Sequence, residues 1–165
     1  MNTPFVIVRA QAEDAAALLE YLKIIGGETD NLSFGPEGVP LSVEQEASYL
    51  GMQAASTDHV QYLAKVDGQI IGTASLNRKP NRMRHRGEFG ISLKKAYWGC
   101  GAASALTEAV LAFARDNDFA QLNLEVRSSN ARAIHLYEKY GFRKLCTFPA
   151  FFRLEGQDVD FDLMN

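Results

Sequence analysis

The sequence predicts one α+β domain built around a mixed β-sheet. Segments with alternating or β-rich apolar residues, typical of strands, are interspersed with segments whose apolar residues recur at helical spacing. Their order along the chain is β-α-α-β-β-β-α-β-α-β-β, in which strands and helices are mixed rather than separated into blocks. No linker composition and no internal repeat divides the 165 residues, so we expect a single domain over residues 1–165.

The first third of the chain predicts a strand, two helices and a long loop. Residues 5–9 are β-rich, and residues 14–25 have apolar side chains at helical spacing, with the two glycines 26–27 expected to end that helix. The stretch from there to residue 40 is rich in Gly, Pro, Asn and Ser, which is typical of a loop. Residues 42–56 begin with a capping-box pattern, Ser followed three positions later by Gln, and predict a second helix.

The middle of the chain predicts a hairpin, a third strand after it and a helix. Two apolar runs, residues 61–66 and 69–77, are joined by Asp67-Gly68, a strong signal for a tight β-turn. Residues 88–93 alternate between apolar and polar or small side chains, which indicates a strand. Residues 101–117 carry an apolar stripe at helical spacing and many alanines, so this helix is expected to lie close to the sheet.

The last part of the chain predicts a strand, a helix and a closing β segment. Residues 122–126 form the strand. Residues 131–140 follow as a helix, with Asn130 at the N-cap position and Gly141 at the position after the helix that favours a left-handed residue. From residue 142 onward the chain is β-rich, with a break before its final strand.

Composition and charge exclude several classes of partner. The 17 Lys and Arg against 20 Asp and Glu leave a net charge of -3, which provides no field to hold a polyanion, so we expect no nucleic-acid partner. No apolar run approaches the roughly 20 residues of a membrane span, and no leader pattern opens the chain, so we expect a cytoplasmic protein without a membrane partner. The two cysteines, Cys100 and Cys146, are expected to be reduced thiols.

Residues 97–104 form a glycine-containing loop between the strand 88–93 and the helix 101–117. Small residues and free backbone N–H groups at a helix N-terminus favour binding of an anion such as a diphosphate. A Walker loop is excluded because Gly-Lys-Ser/Thr is absent. Two alternatives remain open at this point: a tight structural turn, and a dinucleotide site in which Glu125 would contact a ribose.

Residues 88–145 resemble the GNAT superfamily of acetyl-CoA-dependent N-acetyltransferases through two motifs. The family's Gln/Arg-x-x-Gly-x-Gly/Ala loop falls on residues 98–103, where Trp98 replaces the usual Gln or Arg. The segment 130–142 is similar to the family's Asn-x-x-Ala-x-x-x-Tyr-x-x-x-Gly-Phe motif. The resemblance implies a mostly antiparallel central sheet with splayed fourth and fifth strands and helices on both faces.

The same resemblance implies that acetyl-CoA binds as the acyl donor and that no metal takes part. Backbone N–H groups along residues 91–93 would pair with the pantetheine arm and polarise the thioester carbonyl, and Tyr137 would donate a proton to the leaving sulfur. The implied donor-binding residues are Ile91, Ser92, Leu93, Trp98, Gly99, Cys100, Gly101, Ala102, Ala103, Ser104, Asn130 and Tyr137.

The general base for the incoming amine is predicted to be Glu88, because family members often place a Glu on this strand. In a regular strand Glu88 lies on the face opposite to Ile91 and Leu93, so we expect a β-bulge to turn it toward the acyl group. Glu125 and His85 are the rival bases.

The predicted function is therefore transfer of an acetyl group from acetyl-CoA directly to a primary amine of a small molecule or protein. The acceptor is expected to enter beside the loop 26–40 and the last two strands, with Phe34 and Glu88 as substrate contacts. A non-catalytic acyl-CoA-binding sensor is the alternative, and a dinucleotide-binding oxidoreductase is a more remote one. A homodimer formed through the last strands is also considered.

Overall fold

A seven-stranded sheet forms the centre of the molecule. The computed structural model describes residues 3–165, so the first two residues of the predicted domain lie outside it. The strands are β1 (Val6–Arg9), β2 (His59–Val66), β3 (Gln69–Arg78), β4 (Arg86–Leu93), β5 (Gln121–Arg127), β6 (Lys144–Leu154) and β7 (Gln157–Met164). Their order is β1-β2-β3-β4-β5-β7-β6, and every neighbouring pair is antiparallel except β4–β5.

Helices cover both faces of this sheet, as the resemblance implied. The helices are α1 (Ala15–Glu28), α2 (Val43–Gln53), α3 (Ala102–Asp116) and α4 (Ala131–Lys139). On one face, Leu106 of α3 and Tyr137 of α4 belong to the same buried cluster as Phe89 of β4. On the other face, Leu18 of α1 packs with Leu63 of β2. Each leucine buried this completely contributes about 2 kcal/mol through removal of apolar surface from water.

Short local signals in the sequence predicted several element ends correctly. The Ser42 Oγ accepts the Gln45 N–H at 3.1 Å, and the Gln45 side chain accepts the Ser42 N–H at 2.8 Å, which is the predicted capping box. The Asn130 side chain accepts the Ala133 N–H at 3.2 Å and caps α4. Gly141 follows that helix with φ +93°, a conformation that glycine adopts without steric cost.

The predicted end of the first helix was wrong. Gly26 and Gly27 lie inside α1, which continues to Glu28. Gly26 is required there for a different reason: a Cβ on it would lie 2.0 Å from the carbonyl oxygen of Gly35. The missing side chain therefore lets the loop after α1 fold back against the last turn of the helix. The second helix is also shorter than predicted and ends at Gln53.

Strands β4 and β5 diverge over most of their length. Their parallel pairing comprises three residue pairs, from Arg86 opposite Gln121 to Glu88 opposite Asn123. On its other side β4 pairs with β3 without a register shift from Gly87 to Leu93. The splay predicted by resemblance is thus present, whereas the β-bulge expected near Glu88 does not occur in this ladder.

The dinucleotide-binding oxidoreductase considered above does not fit this topology. Its fold requires a mostly parallel, doubly wound sheet, whereas among the seven strands of residues 3–165 only β4 and β5 pair in parallel. Within residues 3–165, no helix has the length and hydropathy that a membrane span requires. The described part of the chain also has no group of three or more His, Cys, Asp or Glu side chains arranged to bind a metal.

Candidate active site

A cavity of about 530 Å³ opens where β4 and β5 diverge. Two of its walls are the facing strand segments 89–93 and 125–127. The glycine loop and the segment 130–137 close one side, and the end of α1 with the residues after it, 25–32, closes the other. The cavity therefore crosses the sheet and connects its two helical faces.

The glycine loop has a left-handed backbone conformation at both of its glycines. Gly99 and Gly101 have φ values of +82° and +93°, a conformation that favours glycine. A Cβ on Gly101 would meet no atom within 4 Å, so glycine is favoured there by the backbone conformation and not by a lack of space. The hydrogen bond that opens α3 joins the Ala105 N–H to the Gly101 carbonyl at 3.1 Å. The preceding N–H groups of this first turn have no intrahelical acceptor and remain available to an anion.

The predicted loop residues divide into two groups. Trp98, Gly99, Gly101, Ala103 and Ser104 line the cavity. The other two turn inward: the Ala102 side chain is completely buried in the core beneath the loop, and Cys100 packs against the same core. Their side chains are therefore directed away from the cavity, and any part they take in binding is restricted to backbone groups.

Trp98, which departs from the family motif, is held between neighbouring groups. Its Nε1–H donates to the Leu93 carbonyl at 3.1 Å. The Arg132 guanidinium lies 4.7 Å from the centre of the indole ring, within the range of a cation–π contact. Arg132 lines the cavity beside Gly99 and brings a positive charge to this end of it. Arg132 was not among the predicted site residues, although it lies inside the second motif.

The β4 wall places three predicted residues, Ile91, Ser92 and Leu93, along the cavity. The Ser92 hydroxyl lies 2.9 Å from the Tyr21 hydroxyl of α1, which shows that Ser92 faces the α1 side of the sheet. Burial raises the pKa of Tyr21, so its hydroxyl stays protonated at neutral pH. Beyond Glu88, the β4 edge that faces β5 has no strand partner there, and its backbone groups face the cavity.

Tyr137 lies in an apolar corner of the cavity and is 6% exposed. Its ring contacts Phe89 and Phe142 with ring centres 6.0 Å apart in each case. Burial raises the pKa of Tyr137, because the surrounding rings disfavour the phenolate. The phenol therefore remains protonated at neutral pH. Asn130 also lines the cavity, at the start of the helix that carries Tyr137.

The two glutamates considered as bases have different surroundings. Glu88 is not among the residues that line the cavity, and its Oε2 accepts from the Lys79 ammonium at 2.6 Å. Glu125 lines the cavity directly. Partial desolvation and the nearby charge of Glu88 raise the pKa of Glu125, while Lys79 opposes the shift. The arrangement brings one carboxylate to the cavity and leaves the other in an ion pair beside it.

Phe34, the predicted acceptor contact, lines a second cavity of about 460 Å³ and not the first. This second cavity lies between the loop after α1 and the end of β6, with Phe151 and Phe152 on its far wall. Thr29 and Leu32 line both cavities, so the two adjoin.

Comparison with known proteins identifies a family. The Acetyltransferase (GNAT) family profile matches residues 29–142. An uncharacterised N-acetyltransferase of Mycobacterium bovis is 32% identical over 131 residues, covering 74% of this chain and 81% of that protein. Mouse N-acetyltransferase 8F1 is 30% identical over 119 residues, which cover 69% of this chain but only 52% of the relative. The L-amino acid N-acetyltransferase AaaT of Escherichia coli is 33% identical over 104 residues, covering 61% of this chain and 63% of the relative.

Solved structures agree with that assignment. A GNAT-family acetyltransferase from Streptococcus pneumoniae superposes with a TM-score of 0.93 and 31% identity, with 98% of each chain covered. The yncA protein of Salmonella typhimurium, solved with its cofactor acetyl-CoA, superposes with a TM-score of 0.83 at 20% identity, covering 98% of this chain and 92% of that one, and so shares the fold.

Proposed function

We propose that this chain, which belongs to the acetyltransferase (GNAT) family, transfers the acetyl group of acetyl-CoA directly to a primary amine of a small molecule or protein. One observation carries the proposal: a single cavity runs from the free N–H groups at the start of α3 to Tyr137 and Glu125. Such a cavity accommodates a donor and an acceptor together, which direct transfer requires.

The chain's own groups fit the donor. The N–H groups at the start of α3, together with Gly99 and Gly101, suit the diphosphate, and Arg132 adds a positive charge beside them. The unpaired edge of β4 at Ile91–Leu93 offers backbone donors and acceptors to the pantetheine amides. Acetyl-CoA would supply the acyl group already activated as a thioester.

We assign the general base to Glu125 rather than to the predicted Glu88. Glu125 is in the cavity, and its raised pKa makes it a stronger base than an ordinary carboxylate. It would accept a proton from the acceptor ammonium, and the neutral nitrogen would then form the new N–C bond. Glu88 acts on the reaction through its charge, which contributes to the raised pKa of Glu125.

Tyr137 is the proposed proton donor to the departing thiolate. As the C–S bond breaks, the sulfur takes up the electron pair and then the phenolic proton, and the buried ring keeps that proton available at neutral pH. Backbone N–H groups of β4 would stabilise the carbonyl oxygen as it becomes negative, where one well-placed donor is worth on the order of 3 kcal/mol.

The test is to mix the protein with acetyl-CoA and a panel of primary amines and to follow release of free thiol. The panel includes polyamines, amino acids, N-terminal peptides and lysine peptides, and the name of the Escherichia coli relative is the reason that L-amino acids belong in it. Thiol release that requires a particular amine supports the proposal. Tight CoA binding by calorimetry with no turnover of any amine would favour the non-catalytic acyl-CoA-binding module.

The cytoplasmic location and the homodimer stay predictions.

A further inference from the structure

Arg127, at the end of β5, has an unusual environment for a half-buried cation. Its Nε is buried and has no hydrogen-bond partner among residues 3–165. One other buried side-chain nitrogen or oxygen in the described residues shares this property, the Nε of Arg9, but that guanidinium donates through Nη2 to three backbone carbonyls at 2.7, 2.7 and 3.1 Å. A buried N–H without an acceptor costs free energy, so its retention at the wall of a cavity points to a ligand that supplies the acceptor.

The strand alternation places Arg127 on the acceptor side of the cavity. Leu124 and Val126 point into the core beneath α3 and α4. Glu125 and Arg127 therefore point to the opposite face, toward the end of α1. The start of α3, which suits the diphosphate, lies on the Leu124 and Val126 side of the sheet. Arg127 is thus separated from the proposed phosphate site and adjoins the proposed base.

We propose that Arg127 binds the carboxylate of a free α-amino acid whose amino group lies at Glu125. This inference rests on the acetyltransferase function proposed above. Residues two apart on a strand face are about 6.6 Å apart at their backbones, and Glu125 and Arg127 line the same cavity and point to the same face, so their side chains can converge on groups joined by a single carbon. A guanidinium uses Nε together with one Nη to bind both oxygens of a carboxylate, and Nε is the atom left without a partner here.

The second cavity indicates which amino acids fit. It adjoins the first at Thr29 and Leu32, and its mixed lining combines charged residues with the three aromatic rings of Phe34, Phe151 and Phe152. An amino acid held between Glu125 and Arg127 would direct its side chain along this connection. The acceptor class is therefore α-amino acids, and the three rings favour an aromatic side chain, which Phe34 would contact in place of the amine. We expect L-phenylalanine to be preferred over L-alanine, with the preference reduced in Phe34→Ala.

The experiment compares three acceptors that share one apolar group: L-phenylalanine, L-phenylalaninamide and 2-phenylethylamine. Thiol release gives kcat/KM for each. The amide has the least basic amine of the three, so a preference for the free acid cannot come from easier deprotonation. We expect kcat/KM for L-phenylalanine to exceed both others by about 100-fold, the size of a charged hydrogen-bonded pair.

Variants of Arg127 separate recognition from folding. In Arg127→Met we expect the KM for L-phenylalanine to rise about 100-fold while the KM for 2-phenylethylamine changes by less than about twofold. For Arg127→Lys we expect a smaller rise in the KM for L-phenylalanine than for Arg127→Met, because lysine keeps the positive charge but lacks the paired N–H donors of a guanidinium. CoA affinity by calorimetry and Tm report on folding. Arg115→Met, an exposed arginine near the end of α3, is the matched control and should change nothing.

Two results would overturn the inference in distinguishable ways. Equal or better use of the amide or of 2-phenylethylamine, or an equal effect of Arg127→Met on all three acceptors, would exclude carboxylate recognition and leave the acetyltransferase function standing. Absence of thiol release with every amine in the panel would overturn the acetyltransferase function, and the amino-acid acceptor with it. If Arg127→Met does not fold, the acceptor ranking of the unmodified protein and of Arg127→Lys decides.

Discussion

The proposed donor half of the cavity is built mainly from backbone groups, and the proposed acceptor half mainly from side chains. The donor half comprises the β4 edge, the glycine loop and the start of α4. The acceptor half comprises the end of α1, the loop after it, and Glu125 and Arg127 on β5. Backbone recognition depends on glycines in left-handed conformations at fixed positions, whereas side-chain recognition depends on which residues happen to occupy one strand face.

This difference implies that the two halves respond differently to mutation. Side-chain substitutions in the acceptor half should change the acceptor or the rate without changing CoA affinity. Substitutions in the donor half should change CoA affinity without changing which amine is used. The variants below test that separation.

The largest effect is expected from the carboxylate in the cavity. Glu125→Gln should lower kcat by about 100-fold or more, because the amide cannot accept the ammonium proton. Glu88→Gln is the matched control and should retain most of the rate, since Glu88 is ion-paired outside the cavity lining. Steady-state kinetics on both variants measure this. Equal losses would contradict the assignment of the base.

The same pair of variants makes a prediction about pH. Glu125 must be ionised to act, so kcat/KM should fall as pH drops through its pKa, which lies above the ordinary value of 4.5. Because the charge of Glu88 helps to raise that pKa, Glu88→Gln should move this acid limb to lower pH. A pH profile whose acid limb is unchanged in Glu88→Gln would show that the two carboxylates are not coupled.

The next effect is expected at the proton donor. Tyr137→Phe should lower kcat by about 100-fold, since the variant keeps the ring contacts with Phe89 and Phe142 but has no proton to give. CoA affinity, measured by calorimetry, should remain the same. An unchanged rate would assign Tyr137 to packing alone.

A smaller effect is expected in the donor half. Arg132→Ala should weaken CoA binding by about tenfold, because a positive charge beside the glycine loop is lost. Acceptor KM should stay unchanged. Arg115→Ala, far from the loop at the other end of α3, controls for a general change in charge. A change in acceptor KM without a change in CoA affinity would reverse the proposed division of the cavity.

The smallest effects on activity are expected from two neighbouring glycines in α1. Gly26→Ala should destabilise the fold by about 1–3 kcal/mol and raise acceptor KM, because its Cβ would lie 2.0 Å from the Gly35 carbonyl oxygen and displace the loop. Gly27→Ala meets only Pro36, at an ordinary 3.6 Å, and should stabilise the helix by about 0.5–1 kcal/mol. Urea unfolding and acceptor kinetics measure both. Similar behaviour of the two variants would show that the loop is not held by this contact.

The local structure of the proposed donor half could be predicted from the sequence because its determinants are short and local. Gly99 and Gly101 were predicted to lie in a loop before a helix, and Asn130 was predicted to cap a helix. The structure has the loop and the cap at these positions. The splay of β4 and β5 was inferred only by resemblance, since no local pattern shows where two strands stop pairing. Gly26 shows the limit of local signals, because its role depends on a residue nine positions away.

The acceptor half could not be located in the same way. Choosing between Glu88 and Glu125 requires knowledge of which carboxylate meets Lys79 and which faces the cavity, and both contacts join residues distant in sequence. Arg127 carries no motif signal. The feature on which its proposed role rests, a buried Nε without a partner among residues 3–165, is a property of the folded chain and not of the local sequence.

The divergence of β4 and β5 also creates strand edges of the kind through which protein chains can associate. Where pairing stops after Glu88 and Asn123, the sheet gains two additional edges with unpaired backbone groups. Exposed edges of this kind recruit strands from other chains and promote aggregation. Here the two edges face each other inside the molecule, with α4 on one side and the end of α1 on the other. The unpaired backbone groups are therefore accessible to a small ligand in the cavity but not to a strand of a neighbouring chain.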